Sequence, residues 1–365
     1  MKTKQVLTVM ITSLFILYGC ANNDASVQAL ASKNSTLAKS ELGSNASGIH
    51  RAYPKEQAEV LKRFGEIATS ITKGAGQGPY SEFINELISY HAYGAKFVEF
   101  NGGESFNSVG NENTERHLFG EYLDEWDYDV NQFAAVPGTL KVAVYYGNVA
   151  NLTFTSDFIL TAKESGEEFT VNNLITLLFV KTGDEWEMVH EHHSPVNVVA
   201  SPVSLRDDYP VIPGFSGAQL DVVDRFMEIR QSIIDGAGKG YDSEFMDELI
   251  SFHTYGPKFV EFNNGLSFDS EGNEHNERQL FGEMVDIGGV KKFAAVDGTL
   301  NIGVYNENVA NLTFLSDFEL EMDGVLHKVN NLITLLFVKT MGEWQLVHEH
   351  HSPYKGQNLW QDILD

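Results

Sequence analysis

Six of the 12 histidines fall in two short runs, His190-Glu-His-His-Ser194 and His348-Glu-His-His-Ser352. Both runs follow a tryptophan, Trp186 and Trp344, at strand-like spacing. On a strand alternate residues face the same way. Trp186, Met188, His190, His192 and Ser194 are therefore expected on one face, with Glu187, Val189, Glu191 and His193 on the other. A face that begins with Trp and Met and ends with two imidazoles and a hydroxyl reads as the wall of a pocket that turns polar. Glu115 lies three and four positions before Leu118 and Phe119 on a predicted helix, so its carboxylate projects along the core-facing stripe. Glu277, Leu280 and Phe281 repeat that arrangement. Arg116 and Arg278 sit one position round the helix, where Glu112 and Glu274 are their expected partners.

An inward carboxylate near two imidazoles can do general acid–base work, because burial raises its pKa and histidine titrates near neutrality. Glu115, His192, Glu277 and His350 are thus the candidate catalytic groups. His190, Ser194, His348, Ser352, Tyr93 and Tyr255 are the candidates for holding a ligand. The same residues also admit a structural reading, in which Glu115 and His190 form a satisfied buried pair that fixes the sheet to the helix.

Other chemistries fit less well. His190, His192 and Glu115 can reach one ion together, but pattern places no further histidine there, and neither a metal nor a cofactor is expected. His91 and His253, at the end of the second predicted helix, are the only other repeated pair. The run from His190 lacks the second His of a His-Glu-x-x-His metalloprotease motif, having Ser194 there, and it lies on a strand where that chemistry needs a helix. Ser194 has no Gly-x-Ser-x-Gly turn to expose it as a nucleophile, and His193 points to the opposite face.

The elements that position these groups occur twice. Ser81-Glu-Phe-Ile-Asn-Glu-Leu-Ile-Ser89 returns 162 residues later from Ser243, and Asn172 to Thr182 returns 158 residues later from Asn330. A repeat of this length is far longer than a solenoid unit, so each copy should be a domain with its own core. Each opens on an amphipathic helix, with Val60, Phe64, Ile67 and Ile71 in the first and Phe226, Ile229 and Ile233 in the second. Gly74-Ala-Gly76 and Gly236-Ala-Gly238 end these helices. A second short helix, a strand over 96–100 and a third helix around 113–121 follow. Long strands are then predicted over 139–146, 149–161, 169–181 and 185–194. This order implies an α+β domain whose curved antiparallel sheet closes over its helices.

That order, with Trp186-Glu-Met-Val-His-Glu-His-His-Ser194 and Trp344 to Ser352, resembles the SnoaL-like branch of the NTF2-like superfamily, whose last strand runs Trp, three residues, His, Glu, His, one residue, Ser. The resemblance implies two cone-shaped α+β barrels in tandem, each with helices packed in a strongly bent sheet around a pocket. It leaves the reaction open, since the family includes isomerase-like enzymes, cyclases, dehydratases and the non-catalytic association domain of calmodulin-dependent kinase. The terminal strand also resembles that of iota-class carbonic anhydrases, which implies bicarbonate at His192 and Ser194 and at His350 and Ser352. Here Glu191 and His193 depart from that pattern, and the threonine expected after the second helix is not found in Lys96 to Phe100. The reading is of a small-molecule pocket in each domain with isomerase-, dehydratase- or cyclase-like acid–base activity. Carbon dioxide hydration and a non-catalytic assembly role are the alternatives.

The remaining segments address location. Lys2 and Lys4, an apolar stretch from Val6 to Tyr18, and Leu17-Tyr-Gly-Cys20 resemble a bacterial lipoprotein signal over 1–20, with Cys20 acylated. Ala21 after it implies the outer membrane, with the domains facing the periplasm. Residues 21–54 read as a tether, 55–196 as the first domain, 197–216 as a linker, 217–354 as the second domain and 355–365 as a tail. The net charge of −26 becomes −28 without Lys2 and Lys4, and no basic cluster offsets it. Such a surface repels nucleic acid and anionic headgroups, so nucleic acid is excluded as a partner and membrane contact is confined to the anchor at Cys20. The domains are expected to pack through their sheets as an intrachain pseudo-dimer, with room for a further homo-oligomer.

Overall fold

The computed structural model describes residues 49–196, 214–284, 289–322 and 324–355. The signal segment with Cys20, most of the tether, residues 197–213 of the linker and residues 356–365 of the tail lie outside them. Among the described residues no helix is long and apolar enough to cross a membrane.

The first domain runs α1 (Pro54–Gly74), α2 (Glu82–Ser89), β1 (Val98–Asn101), β2 (Glu104–Phe106) and α3 (Ser108–His117), followed by a π-helical turn (Leu118–Tyr122) and a last short helix, α4 (Leu123–Glu125). Six strands complete it: β3 (Tyr128–Ala135), β4 (Lys141–Tyr145), β5 (Val149–Ala162), β6 (Glu168–Val171), β7 (Asn173–Thr182) and β8 (Glu185–Pro195). The second domain repeats the order with α5 (Ala218–Gly236), α6 (Glu244–Ser251), β9 (Val260–Asn263), β10 (Leu266–Phe268), α7 (Ser270–Glu277), β11 (Gly289–Ala295), β12 (Asn301–Tyr305), β13 (Val309–Met322), β14 (Val325–Val329), β15 (Asn331–Thr340) and β16 (Glu343–Pro353).

Each sheet has the order β2-β1-β8-β7-β5-β3 or its counterpart β10-β9-β16-β15-β13-β11. Among the described strands only the β1–β8 and β9–β16 pairings are parallel. The 14-residue β5 bends the sheet by changing partners. Its first half pairs with β4 and β7, and its second half with β3 and β6. One strand was expected over 169–181, but Asn172 splits it. Its neighbour Asn173 gives its N–H to Ser156 Oγ at 2.8 Å rather than to the ladder. Strands β2 and β3 were not anticipated.

The apolar stripe of α1 lies in the bend as its spacing requires. Val60, Phe64, Ile67 and Ile71 are buried against Phe154, Phe179, Trp186 and Met188. Val222, Phe226, Ile229 and Ile233 do the same with Phe314, Phe337, Trp344 and Leu346. Burying one such side chain contributes about 1.5–3 kcal/mol, so this filling is the main stabilising term of each half. A third cluster joins the halves: Tyr145, Val149, Leu178 and Val189 meet Tyr305, Val309, Leu336 and Val347. Ile49, assigned from composition to the tether, is 2 % exposed within it.

The alternation expected along β8 does not hold. Leu178 pairs with His190 but Phe179 pairs with Met188, so Val189 is an extra residue in a β-bulge. Val347 is the corresponding extra residue between Leu346 and His348. A bulge shifts the side-chain phase by one residue. Trp186 and Met188 thus face the cone interior, whereas His190, His192 and Ser194 face the other domain. Glu191 and His193 turn inward in their place, beside the core residues Leu177 and Ile175 of β7.

Candidate functional site

The histidines expected to line a pocket are sealed between the domains. His190, His192, His348 and His350 are 0 % exposed. His190 Nδ1–H donates to the Val98 carbonyl at 2.6 Å, which leaves Nε2 to accept from Thr334 Oγ1 at 3.0 Å. With its proton given away, Thr334 Oγ1 accepts from His192 Nδ1–H at 2.8 Å. His192 Nε2 in turn accepts from Ser352 Oγ at 2.7 Å. The second chain mirrors the first: Ser194 donates to His350 at 2.7 Å, His350 to Thr176 at 2.9 Å, and Thr176 to His348 at 3.0 Å. His348 then donates to the Val260 carbonyl at 2.7 Å. His192 and His350 stack at 3.6 Å, with 10° between their planes. Every ring proton in this network is accounted for with neutral rings. Burial holds His190 and His348 down to about 4. Burial, together with the neighbouring imidazoles, holds His192 and His350 well below the usual histidine range. His190, His192, Ser194, His348, His350 and Ser352 are therefore interdomain joints and not pocket walls. The bicarbonate positions implied for His192 and Ser194 are taken up by these bonds.

The chemistry-bearing cluster is on the opposite face of β8. Asn107 Oδ1 caps α3 by accepting from Gly110 N–H at 2.9 Å. Asn111 and Glu115, one turn apart on that helix, are turned onto the sheet, 0 % and 8 % exposed. Beneath them Glu99 of β1 and Glu191 of β8 are paired in register and share a face. His91 leaves α2 beside them, with Nδ1–H donating to the Leu87 carbonyl at 3.1 Å. Its Nε2 lies 3.0 Å from Glu191 Oε1 and 3.5 Å from Glu115 Oε2. Asn111 Nδ2 donates to Glu99 at 2.9 Å and to Glu191 at 3.1 Å. Tyr93 stacks on His91 at 5.0 Å and donates its hydroxyl to Asn111 Oδ1 at 2.5 Å. The second domain repeats the cluster, with His253 Nε2 3.1 Å from Glu349 and 3.7 Å from Glu277, and Tyr255 bonded to Asn273 at 2.5 Å.

Burial, opposed by His91 and reinforced by Glu191 and Glu99, raises Glu115 well above the usual carboxylate range. Burial and the charge of Glu191 raise Glu99. Burial works against the ionised form of Glu191, but hydrogen bonds from His193 and His91 hold its pKa far down. Burial also works against a charged His91, yet Glu115 and Glu191 carry it up to about 9. The two shifts favour a charged His91 beside Glu191 and disfavour the charge of Glu115. Its Oε2 is buried and accepts no hydrogen bond; Oε2 of Glu277 is in the same state. The His91 side chain is 0 % exposed and that of Glu115 11 %.

Glu115 and Tyr93, Glu277 and Tyr255, are brought together as candidates, and Arg116 and Arg278 hold Glu112 and Glu274 at 2.9 and 3.0 Å as their spacing implied. Sequence reasoning left His91 unassigned and missed Glu99, Asn111 and Glu191. The available signal was a glutamate inside the apolar run Phe97-Val-Glu-Phe100, a costly residue on a strand buried on both faces.

A family model described as a SnoaL-like domain matches residues 87–198 and again 240–355. Among solved structures, an NTF2-like superfamily protein from Salmonella enterica serovar Typhimurium is 16 % identical, covering 43 % of this chain and 100 % of its own, with a TM-score of 0.31. An NTF-2 like protein from Shewanella oneidensis is 14 % identical over 37 % of this chain and 98 % of its own, with a TM-score of 0.29. The CamKII hub homology domain of Chlamydamonas reinhardtii is 15 % identical over 38 % and 98 %, with a TM-score of 0.31. A comparison with curated proteins gives no match.

Proposed function

Because the chain belongs to the SnoaL-like family, with one such domain in each half, we propose that each domain binds one small polar or partly apolar molecule at the cluster of Glu115, His91 and Tyr93, or Glu277, His253 and Tyr255. Glu115 and Glu277 are the proton-transfer groups. The observation that supports this reading is the buried Glu115 Oε2, which accepts no hydrogen bond from the protein and lies 3.5 Å from His91 Nε2. A buried acceptor left without a partner costs about 1–3 kcal/mol, and a ligand hydroxyl or carbonyl-derived enol can supply that partner. Tyr93 and Asn111 brace His91 and Glu191, so a ligand meets a fixed carboxyl rather than a mobile one. Burial raises the pKa of Glu115 well above the usual carboxylate range, the direction that general acid catalysis requires.

A thermal-shift screen of small enolisable ketones and hydroxy acids tests this reading. At least one compound class should raise the melting temperature of the wild type and have no effect on the Glu115→Gln/Glu277→Gln variant. An unchanged response in the variant, or no response in the wild type, overturns it.

A further inference from the structure

We infer that His91 Nε2, Glu115 Oε2 and Glu191 Oε1, and likewise His253 Nε2, Glu277 Oε2 and Glu349 Oε1, form a site for a divalent first-row transition cation in each domain. This rests on the reading that the cluster is a binding site, but not on proton transfer by Glu115. In each triad the donor atoms lie within 4.8 Å of one another. The separations of 3.0 and 3.5 Å from His91 match the ~3.4 Å spacing of ligands placed ~2.1 Å from a tetrahedral ion.

The surroundings are those that orient metal ligands. The bond from His91 Nδ1–H to the Leu87 carbonyl fixes the ring so that Nε2 faces the two carboxylates. Asn111 holds Glu191 Oε1 from one side at 3.1 Å, and His193 holds Oε2 at 3.3 Å. Glu115 Oε2 supplies the independent observation. It is a buried, unpartnered oxygen on a residue 8 % exposed, directed at the same point as the other two ligands.

Charge points the same way. Glu99, Glu115 and Glu191 converge in a buried space beside His91 and His193, and a divalent ion would offset the charge these carboxylates carry when ionised. One imidazole with two carboxylates and no thiolate suits zinc, manganese, iron or cobalt in the divalent state. Calcium and magnesium favour all-oxygen sites, and monovalent copper favours sulfur.

The test uses the tag-free full-length chain, stripped with chelator and titrated with Co2+ by visible absorption and calorimetry. Two ions per chain are expected, each with ligand-field bands of a nitrogen–oxygen site. Glu115→Gln should reduce this to one, and Glu115→Gln/Glu277→Gln should weaken Co2+ binding by about 100-fold or more. A tenfold excess of Mg2+ or Ca2+ should leave the bands in place. If the double glutamine variant does not fold, Glu115→Asp/Glu277→Asp replaces it and should weaken binding measurably. No Co2+ uptake by the wild type, or uptake unaltered in the variants, overturns the inference. Organic probes that still respond through Glu115 would then leave the small-molecule reading standing.

Discussion

Glu115 and His91 lie 3.5 Å apart, and their removal should shift stability in opposite directions. Glu115 is ionised only at a cost, because burial and two further carboxylates disfavour its charge. A glutamine of the same shape keeps the packing and removes that cost. Glu115→Gln should therefore leave stability unchanged or raise it by about 1 kcal/mol. His91 is the cation of the group. His91→Ala takes the partner from Glu191 and Glu115 together, opens a void under the Tyr93 ring, and should cost about 3–5 kcal/mol. Urea unfolding at pH 7 with chelator present checks both. A His91→Ala variant as stable as the wild type would show that no proton bridges this cluster. Glu115 was legible from sequence because a helix keeps its 3.6-residue period through the site. Glu191 was not, because two residues upstream the strand loses its period of two.

That loss belongs to the scale of elements. The bulge at Val189 is a property of how β7 and β8 meet, and no residue type in Trp186 to His190 requires it. A one-residue change of phase then exchanges every side chain between faces. The helices, the long strands and the paired domains were legible because each rests on a local pattern; which face of β8 looks inward depends on pairing with a distant strand. The π-helical turn after α3 shows a similar dependence at closer range. It brings Gly120 against the loop after α1, where the Gly120 carbonyl accepts from Gly78 N–H at 2.8 Å. A Cβ on Gly120 would stand 2.7 Å from Pro79 Cα and 2.8 Å from the Gly78 carbonyl oxygen, both of them backbone atoms that cannot rotate away. Gly120→Ala should thus cost about 2–3 kcal/mol, while Gly65→Ala, with nothing within 4 Å on α1, should stabilise by a few tenths to about 1 kcal/mol. Denaturation midpoints of the two variants measure the contrast; equal midpoints would mean the turn is not docked on that loop.

For the molecule as a whole, the two polar clusters place opposing demands on pH. The interdomain histidines are faced by Thr176, Thr334, Ser194, Ser352 and the Val98 and Val260 carbonyls, with Phe100 and Phe262 edge-on, and no carboxylate is bonded to them. Their folded pKa values are depressed, to about 4 for His190 and His348. Between about 4 and the ordinary value of 6.5 the unfolded chain binds more protons than the folded one, so these four groups make stability fall as pH falls. The raised carboxylates Glu99, Glu115, Glu261 and Glu277 act in the opposite sense. Above 4.5 the folded state holds protons on them that the unfolded state has lost, so they make stability rise as pH falls. His91, His253, His193 and His351 have raised values and are protonated in both states below 6.5, so they add nothing there. Glu191 and Glu349 are depressed and act only below the ordinary carboxylate range. In the wild type the two sets oppose each other as pH falls from 6.5 to 5. Glu115→Gln/Glu277→Gln removes two of the compensating terms and none of the histidines. Its stability should then fall more steeply than that of the wild type over this window, by up to about 3 kcal/mol per pH unit. Urea titrations of both proteins at pH 7, 6 and 5 with chelator present measure the difference. Parallel curves would mean either that the interdomain imidazoles are not held neutral or that Glu115 carries no extra proton, and the His190 ring resonances followed through the same titration would separate the two.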